Sequence, residues 1–184
     1  NNAKNKNHKK SKEEEHEWLE KAVALSTAII SVFLAISSIM GSKADGDSMT
    51  FLTHANDQWS YYQSKSIKQN LYEVNKNLIE AQLANPTNAK EYNDALKKKS
   101  EDFDAKISKY NTEKTDIQKQ AENFQKMSED SSAKADVYNY ANGFYQVSII
   151  IAAIALLAKK KYMWMLSCIL GLVGLGFSVF AYLM

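Results

Sequence analysis

Charge is distributed along this chain in blocks. Residues 22–40, 137–158 and 162–184 carry none at all. At 1.5 Å per residue, each stretch is about long enough for a helix to cross a hydrocarbon core of roughly 30 Å. Between the first two, the pattern turns amphipathic. Residues 48–84 contain neither Pro nor Gly, and Ile67, Leu71, Val74, Leu78 and Ala81 recur at alternating spacings of four and three, which keeps one apolar stripe on one helix face. Asn85-Pro86 then stops the helix, because Pro lacks an N–H and disfavours helix at the residue before it. A second stripe, Phe103, Ile107, Tyr110, Ile117, Ala121, Phe124, Ala135 and Tyr138, is interrupted only by Lys114, Ser128 and Ser131 and runs up to the second uncharged stretch. The pattern predicts an all-α membrane protein: three transmembrane helices with a long antiparallel helical hairpin, a coiled coil, inserted between the first and second.

The expected segments are a charged tail (1–17), a first crossing (18–40), the hairpin (41–136), a second crossing (137–158), a lysine turn (159–161) and a third crossing (162–184). Residues 41–47, with Gly41 and Gly46, are expected to form a loop before the first arm. Asn88 is placed to open the second arm in a capping box with Glu91. The second arm is the longer, so either that loop is extended or the arm breaks near residues 128–132. An arm of about fifty residues would extend on the order of 75 Å. Trp59, Tyr61, Tyr62, Tyr72 and Tyr92 fall off the apolar stripes and are expected to pack against identical protomers.

Aromatic residues stand where headgroups would be: Trp18, then Tyr138, Tyr140 and Tyr145, then Tyr162 and Trp164, then Tyr182. Lys159, Lys160 and Lys161 between the last two crossings belong on the cytoplasmic side by the positive-inside rule. Parity puts the tail, with Lys4, Lys6, Lys9, Lys10 and Lys12, on the same side, and the hairpin and the C-terminus in the periplasm. The charges agree. Residues 1–21 hold six Lys against five acids, whereas residues 41–136 hold fourteen Lys against sixteen acids. The alternative for the first stretch is a cleaved signal peptide, with residues 42–44 as the cleavage site, but its apolar run is longer than such segments need.

Small residues line one face of each crossing: Ala24, Ala28, Ser31, Ala35, Ser38 and Ser42 in the first, Ala141, Ser148, Ala152 and Ala155 in the second, and Ser167, Gly171, Gly174, Ser178 and Ala181 in the third. In lipid, helices associate by close backbone approach, so these faces are expected packing seams, within the chain or between chains. The crossings hold no Asp, Glu, Lys or His in their cores, which argues against a pump or a secondary transporter.

Composition removes further classes. The overall net charge of +2 conceals the block structure, and every basic residue is Lys. Without guanidinium forks or a basic stripe, nucleic-acid binding is not expected. Cys168 has no partner for a disulfide and reads as a small buried side chain. His8, His16 and His54 are too scattered for a metal site, and Asp45-Gly46-Asp47-Ser48 lacks the remaining ligands of a calcium loop. No phosphate loop or nucleophile elbow occurs, so no catalytic residue, metal or cofactor is expected. The acids Glu13, Glu14, Glu15 and Glu17 suit a helix that continues into the first crossing; the tail reads as solvated, with a weak contact to anionic lipid as the alternative.

One segment is more particular than the rest: Asp57, Gln58, Trp59, Ser60, Tyr61, Tyr62, Gln63, Ser64, Lys65, Ser66, Ile67 and Lys68. With the preceding apolar run, the hairpin and the closing pair of crossings split by lysines, it resembles the bacterial membrane family catalogued as domain of unknown function 4337, from about Trp18 to the C-terminus. The resemblance implies a topology and a motif, carried here by Asp57, Gln58, Trp59, Tyr61, Tyr62, Gln63, Lys65, Ile67 and Lys68, and no activity. Such a run offers amide, aromatic and cationic groups for a subunit, lipid or small-ligand contact.

The expected function is that of a non-enzymatic, homo-oligomeric scaffold or interaction module in a bacterial inner membrane. Its partners would be membrane lipids, further copies of the chain and an unidentified envelope protein. A pore along an oligomer axis is the first rival, and a lipid or small-ligand sensor with a pocket at Trp59 and Tyr62 is the second.

Overall fold

The computed structural model describes the backbone of residues 2–184 and the side chains of residues 14–184. Among the described residues every regular element is a helix: α1 (Asn2–Leu83), α2 (Lys90–Ala158) and α3 (Lys161–Leu183). Each of the three contains a stretch long and apolar enough to cross a membrane. The tail residues Lys4, Lys6, His8, Lys9, Lys10, Lys12 and Glu13 lie outside the described side chains. The chain divides into two compact units, one made of Asn1–Ser48 with Asp130–Met184 and the other of Met49–Glu129.

Two expected interruptions are absent. Residues 41–47 are helical and belong to α1, and residues 128–132 are helical and belong to α2. Glycine inside a helix costs only about 1 kcal/mol relative to Ala, a modest sum for so long a segment with no Pro. Gly41 also has a packing reason to be there. It is buried against Tyr138, and a methyl group on it would stand 3.0 Å from the Tyr138 Cβ.

In the unit of Asn1–Ser48 and Asp130–Met184, small residues create the contacts. Ala141, Ser148, Ala152 and Ala155 of α2 and Ser167, Gly171, Gly174 and Ala181 of α3 are buried, and Ser178 is half-buried. The edge of α1 that meets them is different from the small-residue face: Leu19, Val23, Ile30, Ser37, Gly41 and Ala44 are buried, whereas Ala24, Ala28, Ser31, Ala35, Ser38 and Ser42 are exposed. Close approach needs a small residue on only one side of each contact. Ile30 fills the notch at Gly171, where a Cβ would lie 3.0 Å from its Cδ1, and Tyr145 covers Gly174. Three polar contacts in this interior cross between helices. Ser148 Oγ donates to the Ser167 carbonyl at 2.7 Å, Tyr145 OH and Ser178 Oγ are 3.2 Å apart, and Trp164 Nε1 donates to Ser26 Oγ at 3.1 Å.

The turn between α2 and α3 is as tight as two residues allow. The amide of Lys160 donates to the Ala155 carbonyl at 3.2 Å, and Lys159 takes a left-handed conformation at φ 51°. This is the helix ending that normally selects glycine.

In the unit of Met49–Glu129, the two helical segments are joined by a turn at residues 84–89. Asn85 Oδ1 accepts from the Thr87 amide at 3.1 Å and from its hydroxyl at 2.7 Å. Asn88 does not cap a helix as expected. Its Nδ2 donates to the Gln82 carbonyl at 2.8 Å and to Asn93 Oδ1 at 3.0 Å, and α2 begins at Lys90. The contacts between segments pair Lys76 with Asp104, Lys65 with Glu113 and His54 with Phe124, so one number rises as the other falls and the segments run antiparallel.

The face of the second segment agrees with the apolar stripe: Ile117 and Ala121 are buried, and Phe103, Ile107, Tyr110 and Phe124 are half-buried. The face of the first does not. Ile67, Leu71, Val74, Leu78 and Ala81 are all exposed, and Ala55, Tyr62, Lys65, Gln69, Tyr72, Lys76 and Ile79 take the seam. Tyr62 and Tyr72, expected off the seam, lie in it. The physical reason is that Lys and Gln cover an aromatic surface with their methylene stems while their heads reach partners across the seam.

Candidate functional site

The motif segment 57–68 lies on the first helical segment of the unit Met49–Glu129, and helical spacing divides it into two faces. Tyr62 and Lys65 turn inward with Gln58 and Trp59 half-covered, and Asp57, Tyr61, Gln63, Ile67 and Lys68 are exposed. The sequence suggested a single cluster; the structure separates it.

The inward set is an ordered polar lattice. Lys65 Nζ stands 2.6 Å from Glu113 Oε2, with the two side chains only 14% and 31% exposed, and it also lies 5.0 Å from the Tyr61 ring and 5.4 Å from the Tyr110 ring. One turn on, Lys114 Nζ sits 5.0 Å over the Tyr62 ring and donates to Gln69 Oε1 at 3.2 Å. Gln69 in turn donates to Glu73 at 2.8 Å. Further along, Lys76 meets Asp104 at 2.6 Å, and Tyr72 packs against Phe103 and Tyr110 with the Lys106 ammonium 5.1 Å from its ring. A cation over an aromatic face is attracted by the ring quadrupole, so each of these lysines has a ring or a carboxylate beside it.

The titration behaviour follows from these contacts. Hydrogen bonding to Glu113 raises the Lys65 ammonium above the ordinary lysine value, and the same bond lowers the Glu113 carboxyl. Asp104 raises Lys76, and Asp102 raises Lys106, in each case by a hydrogen bond to the charged form. In each case the contact favours the charged form of the lysine, and for Glu113 the ionised carboxylate. Glu113 and Gln69 were not singled out from the sequence, whereas Tyr110 was placed on the second stripe and Lys114 was counted as an interruption of it. The signal for Glu113 is its place three residues after Tyr110 and four before Ile117, and the signal for Gln69 is its place in the four-and-three series of Tyr62, Lys65, Tyr72 and Lys76.

Trp59 meets Tyr62 edge-on at 5.7 Å, so the aromatic faces expected to line a ligand pocket are taken by each other and by Lys114. His54 lies 5.3 Å from Phe124. Among the described residues, no group of three His, Cys, Asp or Glu side chains is placed to hold a metal ion.

The other unit carries the lysine turn and its surroundings. Lys161 Nζ lies 5.1 Å from the Trp18 ring, Trp18 stands edge-on to Trp164 at 5.5 Å, and a crevice of about 210 Å³ is bounded by Glu15, His16, Trp18, Leu19, Lys159, Lys160 and Lys161. Elsewhere in that unit, apolar crevices of about 210 and 240 Å³ open between helices beside Phe33 and Tyr145. The hydroxyl of Ser37, which borders the first, is buried without a hydrogen-bond partner.

No curated protein and no solved structure matches the chain. A family model does, over residues 19–184, which takes in the motif segment, the lysine turn and all of both compact units but the first eighteen residues, so the chain belongs to the family described as Domain of unknown function (DUF4337).

Proposed function

We propose that this chain is a multi-pass inner-membrane protein of a bacterium and acts as a non-enzymatic, homo-oligomeric scaffold. The apolar stretches of α1, α2 and α3 cross the bilayer, and the coiled-coil hairpin of residues 49–129 is its interaction module in the periplasm. One observation carries the reading: the interior of the unit of Asn1–Ser48 and Asp130–Met184 is mostly Ala, Gly, Ser and Tyr, joined by Leu19, Val23 and Ile30 of α1, whereas many of its large apolar side chains, among them Leu25, Ile39 and Leu157, are exposed. Water would favour the reverse, and lipid favours this arrangement. Lys161, Trp18 and Trp164 supply the cation and the aromatics of an interfacial belt.

The orientation rests on the lysine turn. Protease added to intact spheroplasts is expected to cut near Pro86, and cleavage there only in inverted vesicles overturns the assignment. Self-association rests on outward faces that a single chain leaves uncovered. Native mass spectrometry in detergent is expected to show multimers, and monomers alone would refute it.

A pore along the oligomer axis is supported by one specific feature, the exposed Ala24, Ala28, Ser31, Ala35 and Ser38 face of α1. If those faces meet around an axis they form a lining of small and hydroxyl side chains. Liposome flux of small ions that is abolished by Ser31→Leu is the outcome that would promote this reading over the scaffold.

A further inference from the structure

Ile67, Leu71, Val74 and Leu78 are 69, 60, 56 and 58% exposed, respectively, in a unit whose other outward positions are mostly charged or amide. They are the residues of that segment best suited to a hydrophobic seam, and the antiparallel partner within the chain does not cover them. We infer that this stripe is where copies of the chain meet, as a parallel bundle of more than two helices; the inference rests on the homo-oligomeric reading above and assigns it a surface.

Three features identify a second copy as the occupant. The spacing is that of a coiled-coil seam, with steps of four, three and four residues from Ile67 to Leu78. In heptad terms Leu71 and Leu78 fall at the first core position, and the β-branched Ile67 and Val74 fall at the second. Leu at the first with a β-branched residue at the second favours assemblies of three or four strands over two.

The borders of the stripe are also self-compatible. The flanking positions are Gln63, Lys68, Asn70, Asn75, Asn77 and Gln82, among which Lys68 is the one charge. In a parallel, in-register bundle Gln63 faces Lys68, Asn70 faces Asn75 and Asn77 faces Gln82 of the neighbour, so no like charges oppose and amides meet amides. A lipid surface would be met by several basic residues on those borders, and a charged partner by a run of complementary charges, whereas Lys68 stands there alone. Chains sharing one bilayer share one direction, which selects the parallel arrangement.

The stripe is solvent-facing in the single chain, so replacing it should leave the fold intact. The test uses the full chain in detergent, with Cys168→Ser as background. Leu71→Cys is expected to form an intermolecular disulfide on mild oxidation, whereas Glu101→Cys, exposed on the other segment, is not. The pair Leu71→Asp and Val74→Asp is expected to keep its helical circular dichroism and to lose at least one half of the multimer population seen for the parent by native mass spectrometry. A multimer that survives both aspartates and gives no cross-link at residue 71 overturns the stripe and leaves self-association through other faces standing. A parent that is monomeric overturns both. A parent that is strictly dimeric overturns the three- or four-stranded assignment.

Discussion

The two units solve the same problem, holding long helices together, with opposite materials. In the unit of Asn1–Ser48 and Asp130–Met184, contact is made by removing side chains: Gly171 and Gly174 let Ile30 and Tyr145 sit directly on a helix backbone. In the unit of Met49–Glu129, contact is made by lengthening them, with Lys65, Lys76 and Lys114 spanning to carboxylates, an amide and rings. Dispersion between close backbones carries helix association when the surroundings are already apolar. Charge-assisted contacts give a choice of partner where water surrounds the pair. The comparison teaches that hydrophobicity alone does not identify a core residue here, because both units leave large apolar side chains such as Leu25 and Leu71 facing outward.

The sharpest way to break that contrast is at Gly174. A methyl group there would stand 2.9 Å from two Tyr145 ring carbons and 3.2 Å from the Ala141 carbonyl. Gly174→Ala should therefore destabilise the unit by about 1–3 kcal/mol, measured by reversible unfolding in mixed micelles. Gly171→Ala should cost less, because the neighbour it meets is the flexible end of Ile30. Gly176→Ala, with nothing within 4 Å, should be neutral or gain up to about 1 kcal/mol from helix propensity.

In the other unit the corresponding break is electrostatic. Lys65→Glu should speed amide hydrogen exchange across residues 60–76, read by mass spectrometry on the full chain, and adding Glu113→Lys should restore much of the protection. A double variant no better than the single one would show that packing, and not the charge pair, holds the seam.

Acidity distinguishes the units without mutation. Glu113 titrates below the ordinary carboxylate value of 4.5, so its contribution is whole above that pH and is lost as pH falls through its lowered value. Lys65 titrates above the ordinary 10.5, so its contribution is whole below that pH and is lost as pH rises through its raised value. Protection of residues 60–76, corrected for intrinsic exchange, should be flat between these limits and fall beyond them, and Glu113→Gln should remove most of the acid limb. The helix contacts around Gly174 should show neither limb.

The smallest expected effect is at the turn. Lys159 holds a left-handed conformation at φ 51°, which costs a residue with a side chain roughly 1 kcal/mol relative to glycine. Lys159→Gly should raise stability by about that amount in a micelle melt.

Much of this was legible in advance. Uncharged stretches of the right length are strong signals, because one lysine or glutamate within them would be conspicuous. The Asn85-Pro86 stop was equally plain, since Pro acts on the backbone itself. The first helical face of the unit Met49–Glu129 was misread for a physical reason. Hydrophobic periodicity locates the apolar side of a helix, and on that segment the apolar side is not the side that meets the partner segment. Tyr, Lys and Gln are amphipathic enough to form a seam, and their spacing looks like surface until Glu113 and Tyr110 are seen opposite. The small-residue face of α1 is exposed in the single chain, and the α1 edge that packs within it was not anticipated, because Ile30 could lie against Gly171 without being small itself. In the motif segment the residue types were correctly noticed, but their division into an inward lattice and an outward row depended on knowing which face was in.

The lattice of lysines also fixes alignment. Sliding one segment by a heptad in one direction would bring Lys65 opposite Lys106 and Lys76 opposite Lys97, two repulsive encounters in place of two attractive ones. Sliding it the other way would offer Gln120 and Asn111, which cannot neutralise either cation. A greasy zipper tolerates such slips because one leucine resembles another, whereas this one works like a key cut at unequal depths. The segments have a single depth at which they close.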